Sequence, residues 1–88
     1  MPTVKLFASL RSIAGEKELD VPGDTVRSLL ENLLLEKAAL KTALFDGDAL
    51  RPYVRVMVNG LDIEPGQGMS TPLKSEDQVT IFPPITGG

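Results

Sequence analysis

The most constraining feature of the chain is one apolar stripe in its first half. The stripe recurs at the i, i+3, i+4, i+7 and i+8 spacing of a helix: Val26, Leu29, Leu30, Leu33 and Leu34. This spacing predicts an amphipathic helix whose apolar face must be covered by another layer of structure. Asp24 or Thr25 is the expected cap, because either side chain can accept a hydrogen bond from the first unpaired backbone N–H groups.

Strand patterns flank this helix on both sides. Apolar and polar residues alternate over residues 3–10, 16–21, 53–58 and 78–82, which is typical of half-buried strands. The first two are expected to form a hairpin around Gly15. Asn59-Gly60 is a strong two-residue hairpin signal, since both residues tolerate positive φ, and it predicts a short return strand over residues 61–64. Residues 65–72 are expected to form a Gly/Pro loop.

A second, shorter helix is predicted over residues 37–45, with Leu40 and Leu44 on one face. The element order is then ββαββ with a final strand, and one helical layer on a mixed sheet buries all the apolar stripes. The sequence predicts an α+β fold of the β-grasp type (the ubiquitin-like roll), with four to five strands, one main helix and one short helix. In that fold the last strand lies parallel to the first, with the third on its other side. We expect a domain over residues 1–82 and an extended tail over residues 83–88.

Composition excludes several kinds of chemistry. The 88 residues include no Cys and no His, so the chain has no thiol nucleophile, no imidazole base and no thiolate or imidazole metal ligand. A net charge of −3 disfavours nucleic acid as a partner. The sequence shows neither a membrane-spanning run nor a signal-peptide pattern, so we expect a cytoplasmic location. No metal site is expected.

Two short motifs have structural explanations. Asp46-Gly47-Asp48 lacks the remaining ligands of a calcium loop and is expected to be a turn that ends the second helix. Gly66-Gln67-Gly68 lacks the Lys-Ser/Thr of a phosphate-binding loop. The chain is therefore expected to bind no nucleotide cofactor itself.

The C-terminal tail is the candidate reactive segment. Its residues are Pro83, Pro84, Ile85, Thr86, Gly87 and Gly88. The two prolines favour a stiff, extended backbone, and six residues can reach about 20 Å. Two glycines can enter a slot too narrow for any side chain. These features predict chemistry on the Gly88 carboxyl group inside another protein, against the alternative of a frayed terminus without function.

Three apolar side chains are expected on the sheet face opposite the helix: Phe7, Met57 and Phe82. They would lie on three adjacent strands at the root of the tail, with polar neighbours around them: Lys5, Arg55 and Thr80. A cluster of this kind predicts a docking surface for a protein partner. The alternative is three scattered apolar residues, which are common on protein surfaces.

Several motifs spread over the whole chain identify a known family. They are residues 5–11 (KLFASLR), Ala14-Gly15, Thr25-Val26, Val58-Asn59-Gly60, Pro72-Leu73 and residues 79–88 (VTIFPPITGG). Together they resemble the MoaD/ThiS family of sulfur carriers, and within it the small subunit of molybdopterin synthase.

The resemblance implies a specific chemistry at the tail. A separate enzyme similar to ubiquitin-activating (E1) enzymes would adenylate Gly88 with ATP and Mg²⁺, and a sulfurtransferase would supply the sulfur that displaces AMP and leaves a thiocarboxylate. The tail would then enter the large subunit of molybdopterin synthase, where the sulfur builds the dithiolene. Gly88 matches the sulfur-bearing residue, Gly87 the residue that lets it thread, and Phe82 a docking aromatic. The chain alone is expected to catalyse nothing.

Three alternatives remain open at this point. One is a sulfur carrier for another pathway, such as cysteine or thiamine thiazole synthesis. Another is a ubiquitin-like modifier that is attached through Gly88 to lysines of other proteins. Both share the adenylation of Gly88 with the first interpretation, so the tail does not distinguish them. The last is a β-grasp interaction module with an inert tail.

Overall fold

The computed structural model describes residues 1–64 and 66–83. Its elements, in chain order, are β1 (Thr3–Leu6), α1 (Ser9–Ala14), β2 (Glu18–Asp20), α2 (Val26–Glu36), α3 (Leu40–Leu44), β3 (Phe45–Asp46), β4 (Ala49–Leu50), β5 (Arg55–Val58), β6 (Leu61–Asp62), a 3₁₀ helix (Gly68–Ser70) and β7 (Gln78–Phe82). No helix among these residues is both long and apolar enough to cross a membrane.

Five of the strands form one mixed sheet in the order β2-β1-β7-β5-β6. β7 runs parallel to β1, with Val79 beside Val4, and antiparallel to β5, with Ile81 beside Val56. The predicted β-grasp arrangement is therefore confirmed. Because β7 is the central strand, the chain leaves the sheet from its middle rather than from an edge.

The main helix covers one face of this sheet. Thr25 is the cap: its hydroxyl oxygen accepts from the Ser28 N–H at 3.1 Å, and the Ser28 hydroxyl oxygen accepts from the Thr25 N–H at 3.1 Å. This reciprocal pair is a capping box, which satisfies two otherwise unpaired donors. The predicted stripe faces the core, with Leu34 only partly buried. The inner side chains of the sheet complete that core: Val4, Leu6, Val56, Val79 and Ile81.

The approach of α2 to the preceding turn requires a glycine at position 23. A Cβ atom added to Gly23 would lie 2.5 Å from the Leu29 backbone nitrogen and 2.6 Å from its Cα. Backbone atoms cannot yield in the way that the end of a flexible side chain can, so α2 would have to shift.

We therefore expect Gly23→Ala to lower the free energy of unfolding by about 1–3 kcal/mol, the usual cost of overpacking. Urea denaturation measures it. Gly15→Ala is the comparison: Gly15 has φ +78° but open space around it, so that variant carries only the backbone cost of roughly 1 kcal/mol. A Gly23→Ala variant as stable as the wild-type chain would contradict the packing argument.

The first predicted strand is wrong beyond Leu6. Apolar and polar residues alternate as far as Leu10, which predicted a strand to that residue. The chain instead turns at Ala8, where φ is 52°, and residues Ser9–Ala14 form α1. Leu10 and Ala14 are buried at i and i+4, a spacing that fits a helix, and Gly15 ends the helix in the left-handed conformation. β1 and β2 do pair antiparallel, but α1 connects them, so the predicted hairpin around Gly15 is wrong.

Other boundaries are shorter than predicted. The second helix spans only Leu40–Leu44, although Leu40 and Leu44 are buried as expected. The Asp46-Gly47-Asp48 segment is a hairpin turn rather than a helix-ending turn, because β3 and β4 pair across it as a separate two-stranded ribbon. Strand β5 begins at Arg55, since Tyr53 has φ 74° and cannot continue an extended strand.

The remaining predicted segments follow the same trend. The second strand is reduced to Glu18–Asp20 and the return strand to Leu61–Asp62. The predicted loop over residues 65–72 contains the 3₁₀ helix Gly68–Ser70. Asn59 and Gly60 have φ 51° and 86°, and they form the predicted turn between β5 and β6.

Candidate docking surface and C-terminal site

The strand register defines the sheet face opposite the helix. Thr80 in the central strand lies between Lys5 of β1 and Met57 of β5. Phe82, two residues further on, lies beside Arg55. Phe7 follows β1, and its N–H donates to the Ile81 carbonyl at 3.2 Å. This bond extends the parallel pairing of β1 with β7 by one step and brings Phe7 next to Phe82.

Phe7 and Phe82 form a stacked aromatic pair. Their ring centroids are 4.6 Å apart, and the angle between the ring planes is 20°. Such a pair contributes about 0.5–1.5 kcal/mol beyond the area it buries. Both side chains are half-buried, so each keeps surface that a partner could cover.

Met57 lies on the same face but not in the same row. Its direct neighbour on β7 is Thr80, while Phe82 lies opposite Arg55. Met57 is therefore a diagonal neighbour of Phe82, at a Cα separation of about 7–8 Å for that relation. The structure joins Phe7 to Phe82 and places Met57 at the border of that pair. The three predicted neighbours, Lys5, Arg55 and Thr80, lie on this face.

Arg11 is a component of this surface that the sequence interpretation missed. Its guanidinium carbon lies 5.0 Å from the Phe7 ring centroid, within the range of a cation–π contact. Its Nε donates to the Leu6 carbonyl oxygen at 2.8 Å. Arg11 reaches Phe7 because it lies in α1, the helix that was predicted as strand. A helical interpretation of residues 9–14 was the one signal that could have found it.

Tyr53 is a second feature at the same end of the sheet. Its side chain is 82% exposed, and its φ of 74° is unusual for a bulky residue. It lies two residues before Arg55, the residue beside Phe82. The predicted alternation placed Tyr53 on this face but not in the docking surface.

Two carboxylates in the sheet region have lowered pKa values: Asp62 in β6 and Asp77 directly before β7. The Glu64 backbone N–H, donating to Asp62 at 2.9 Å, and then the Arg55 guanidinium, at 2.8 Å, lower the pKa of Asp62. The Lys74 backbone N–H and then the Asn59 side-chain amide lower the pKa of Asp77. In both cases donors stabilise the ionised form.

These contacts predict separable effects on pH dependence. Both folded pKa values lie below the unfolded ones, so the stability they contribute is present above the unfolded pKa and is lost as pH falls through the folded pKa. We expect Arg55→Gln to raise the pKa of Asp62 towards its ordinary value and to leave Asp77 unchanged. Asn59→Ala should raise the pKa of Asp77 towards its ordinary value and leave that of Asp62 unchanged. Carboxyl ¹³C NMR titration measures both groups, and equal shifts in both variants would contradict the assigned causes.

The predicted tail starts at Pro83, which directly follows Phe82 at the end of the central strand. The other predicted tail residues lie outside the described part of the chain: Pro84, Ile85, Thr86, Gly87 and Gly88. Their roles stay predictions. Pro83, the first residue of the predicted tail, directly follows Phe82 of the stacked pair, and the docking role of this surface stays a prediction.

The rest of the described surface offers no comparable set of groups. Within residues 1–64 and 66–83, no three His, Cys, Asp or Glu side chains lie close enough together to hold a metal ion. A groove of about 400 Å³ lies between α2 and the β3–β4 ribbon. Of the predicted site residues that the structure describes, Phe7, Met57, Phe82 and Pro83, none lines it.

Comparison with known proteins places the chain in a family. The ThiS family model matches residues 4–88. Small archaeal modifier protein 3 of Haloferax volcanii is 34% identical, covering 97% of this chain and 96% of the relative. The molybdopterin synthase sulfur carrier subunit of Escherichia coli is 30% identical over 100% of both chains.

Solved structures agree in fold. Small archaeal modifier protein 1 of Methanosarcina acetivorans superposes with a TM-score of 0.88 at 36% identity, covering 98% of this chain and 94% of that one. A chain in the BexX/CysO complex of Amycolatopsis orientalis gives 0.89 at 29% identity, with complete coverage of both. The chain belongs to the ThiS family, the ThiS/MoaD group of β-grasp sulfur carriers and ubiquitin-like modifiers.

Proposed function

We propose that this chain carries sulfur as a thiocarboxylate on Gly88. The observation that supports this most is the position of β7. As the central strand it ends at Phe82, beside Phe7, and leads directly into a tail whose last residues are Gly87 and Gly88. A partner can hold the aromatic face while the tail enters its active site.

The chemistry requires a separate activating enzyme. A carboxylate is ionised at neutral pH, so it resists attack by a nucleophile and is a poor acyl donor. In the proposed sequence, the Gly88 carboxylate attacks the α-phosphorus of ATP, pyrophosphate leaves, and an acyl adenylate forms. A persulfide from a sulfurtransferase then attacks the acyl carbon and displaces AMP. A second thiol reduces the resulting acyl disulfide, which leaves the thiocarboxylate and a disulfide.

In these reaction steps the chain itself binds the partner protein and presents its C-terminal carboxyl group. It supplies the acyl group at Gly88, the narrow Gly-Gly end and the docking face built on Phe7, Phe82, Met57 and the start of the tail. ATP and Mg²⁺ belong to the activating enzyme in this proposal. A cytoplasmic location is part of the same proposal, since adenylation consumes ATP.

We propose that the enzyme that receives the sulfur is molybdopterin synthase, in which this chain is the small subunit. The tail would enter the large subunit, and the sulfur of Gly88 would be transferred to the precursor pterin to build the dithiolene. A sequence identity of 30% over the whole length of the Escherichia coli sulfur carrier subunit supports this assignment.

A protein-modifier role is the second candidate. Two relatives at 34% identity over nearly the whole chain are small archaeal modifier proteins 3 and 1 of Haloferax volcanii. In that role a lysine amine would attack the activated Gly88 carbonyl and form an amide. Supply of sulfur for cysteine synthesis has similar support from the mycobacterial carrier CysO, at 29% identity.

One experiment separates these roles. The untagged chain is incubated with the activating enzyme of its own host, ATP and a sulfur source, and its intact mass is measured. Replacement of one oxygen by sulfur at Gly88 supports the carrier proposal. The loaded chain is then offered precursor pterin with the large subunit, and dithiolene formation supports the molybdopterin role. Chain linked to lysines, with no sulfur gain, would favour the modifier role instead.

A further inference from the structure

A group of cationic side chains lies beside Phe7 of the aromatic pair. Lys5, Arg11 and Lys17 line a groove of about 340 Å³ next to Phe7, and Glu18 is the acidic residue among the described residues that line it. The whole chain has a net charge of −3. Positive charge is therefore concentrated where the tail leaves the domain, against the sign of the molecule as a whole.

Arg11 is held in a defined position within this group. Its Nε–H donates to the Leu6 carbonyl at 2.8 Å, and its guanidinium lies over Phe7, which in turn stacks on Phe82. These contacts use one of its five N–H donors and leave four on the terminal nitrogens. In the described part of the chain, no hydrogen bond or ion pair engages those four donors.

Among the described residues, neither nearby acidic side chain forms a hydrogen bond or ion pair with Arg11. Glu16 forms an ion pair with Lys37 at 2.7 Å. Glu18 is the cross-strand neighbour of Lys5. Arg11 is thus the cation of the group that is both fixed in orientation and open to an incoming acceptor.

We propose that Arg11 is a preorganised receptor for a carboxylate of the protein that activates Gly88. The planar guanidinium recognises a carboxylate through two parallel hydrogen bonds, which a lysine cannot do. The partner would present an Asp or Glu side chain next to an apolar surface that covers Phe7 and Phe82. A polyanion is disfavoured by the net charge of the chain. This inference rests on the proposed function, and it adds the chemistry by which the partner is chosen.

Titration calorimetry with the full-length chain and the activating enzyme of its own host tests the receptor. Arg11→Gln removes the charge, Arg11→Lys keeps the charge but loses the fork, and Arg51→Gln is the matched control. Arg51 makes the same kind of bond, from Nε to the Thr42 carbonyl at 2.7 Å, and it does not line the groove next to Phe7. All three variants and the wild-type chain are also incubated with ATP and a sulfur source, and their intact masses are measured as described above.

We expect Arg11→Gln to raise Kd by about 30-fold or more, as for the loss of one partner of a hydrogen-bonded charge pair. Arg11→Lys should raise it by roughly tenfold, because only the bidentate geometry is lost. Arg51→Gln should stay within about twofold. The wild-type affinity should also fall more steeply with salt than that of Arg11→Gln, since screening acts on the lost charge pair.

Two results would overturn the inference in different ways. If Arg11→Gln binds as tightly as Arg51→Gln while the wild-type chain still gains sulfur, the receptor is wrong and the proposed function stands. If the wild-type chain neither binds the activating enzyme nor gains sulfur, both fail together.

Discussion

Removal of Gly88 is expected to abolish sulfur loading while leaving the fold intact. The deletion moves the terminal carboxylate back by one residue, so the reacting carbon no longer reaches the activating site. The core side chains in the described part of the chain lie between Val4 and Ile81, and none of them is touched. Thermal unfolding should therefore shift by no more than about 1 °C, the scale of a change far below 1 kcal/mol.

Matched variants give this prediction its specificity. Gly88→Ala keeps the terminal carboxylate at the same position in the chain but adds a methyl group, so it tests the narrow slot directly. We expect sulfur loading to fall by about tenfold or more, because even a small misplacement of the reacting carbon slows the reaction. A C-terminal tag should block loading and an N-terminal tag should not. Sulfur gain in the Gly88 deletion variant, seen by intact mass, would remove the chemical basis of the proposal.

Replacement of Phe82 by Ala is expected to weaken binding to the activating enzyme by about 30-fold or more, corresponding to about 2–4 kcal/mol for a buried aromatic anchor. The substitution removes one ring of the stacked pair and leaves Phe7 without its neighbour. Its cost to folding should be smaller, at about 0.5–1.5 kcal/mol from the lost aromatic contact together with some lost burial. Affinity and stability are therefore measured on the same sample.

Leu35 provides the control for this experiment. It is 84% exposed and lies on α2, on the helical layer rather than on the outer face of the sheet. Leu35→Ala removes apolar surface of a similar kind without touching the aromatic pair, and it should leave the affinity unchanged. If Phe82→Ala and Leu35→Ala bind alike, the partner does not use this face.

The central part of the fold was predictable because its signals were unambiguous. Strand β7 was predicted with the bounds it has, since Pro83 ends the ladder and Val79 and Ile81 alternate with polar residues. The main helix followed from five apolar residues at one spacing. Thr25 was one of two proposed caps, and the choice depended on Ser28, whose hydroxyl completes the capping box.

The missed parts have a common physical cause. Leu6, Ala8 and Leu10 alternate like a strand, while Leu10 and Ala14 repeat like a helix, and a short segment satisfies both patterns. Tertiary packing chose the helix because Leu10 and Ala14 are buried there. Arg11 was missed for this reason, since its approach to Phe7 depends on α1. The ribbon β3–β4 was missed because two-residue strands carry almost no periodicity.

The pairing of the first strand with the last has a consequence for when the surface exists. Val4 and Val79 are neighbours in space, although nearly the whole chain separates them. Their pairing closes a long loop, and because of the entropy that this closure costs we expect it to form late in folding. The stack of Phe7 on Phe82 forms only with that closure. An enzyme that needs both rings and the tail would thus act on finished molecules and pass over chains that have not completed their sheet.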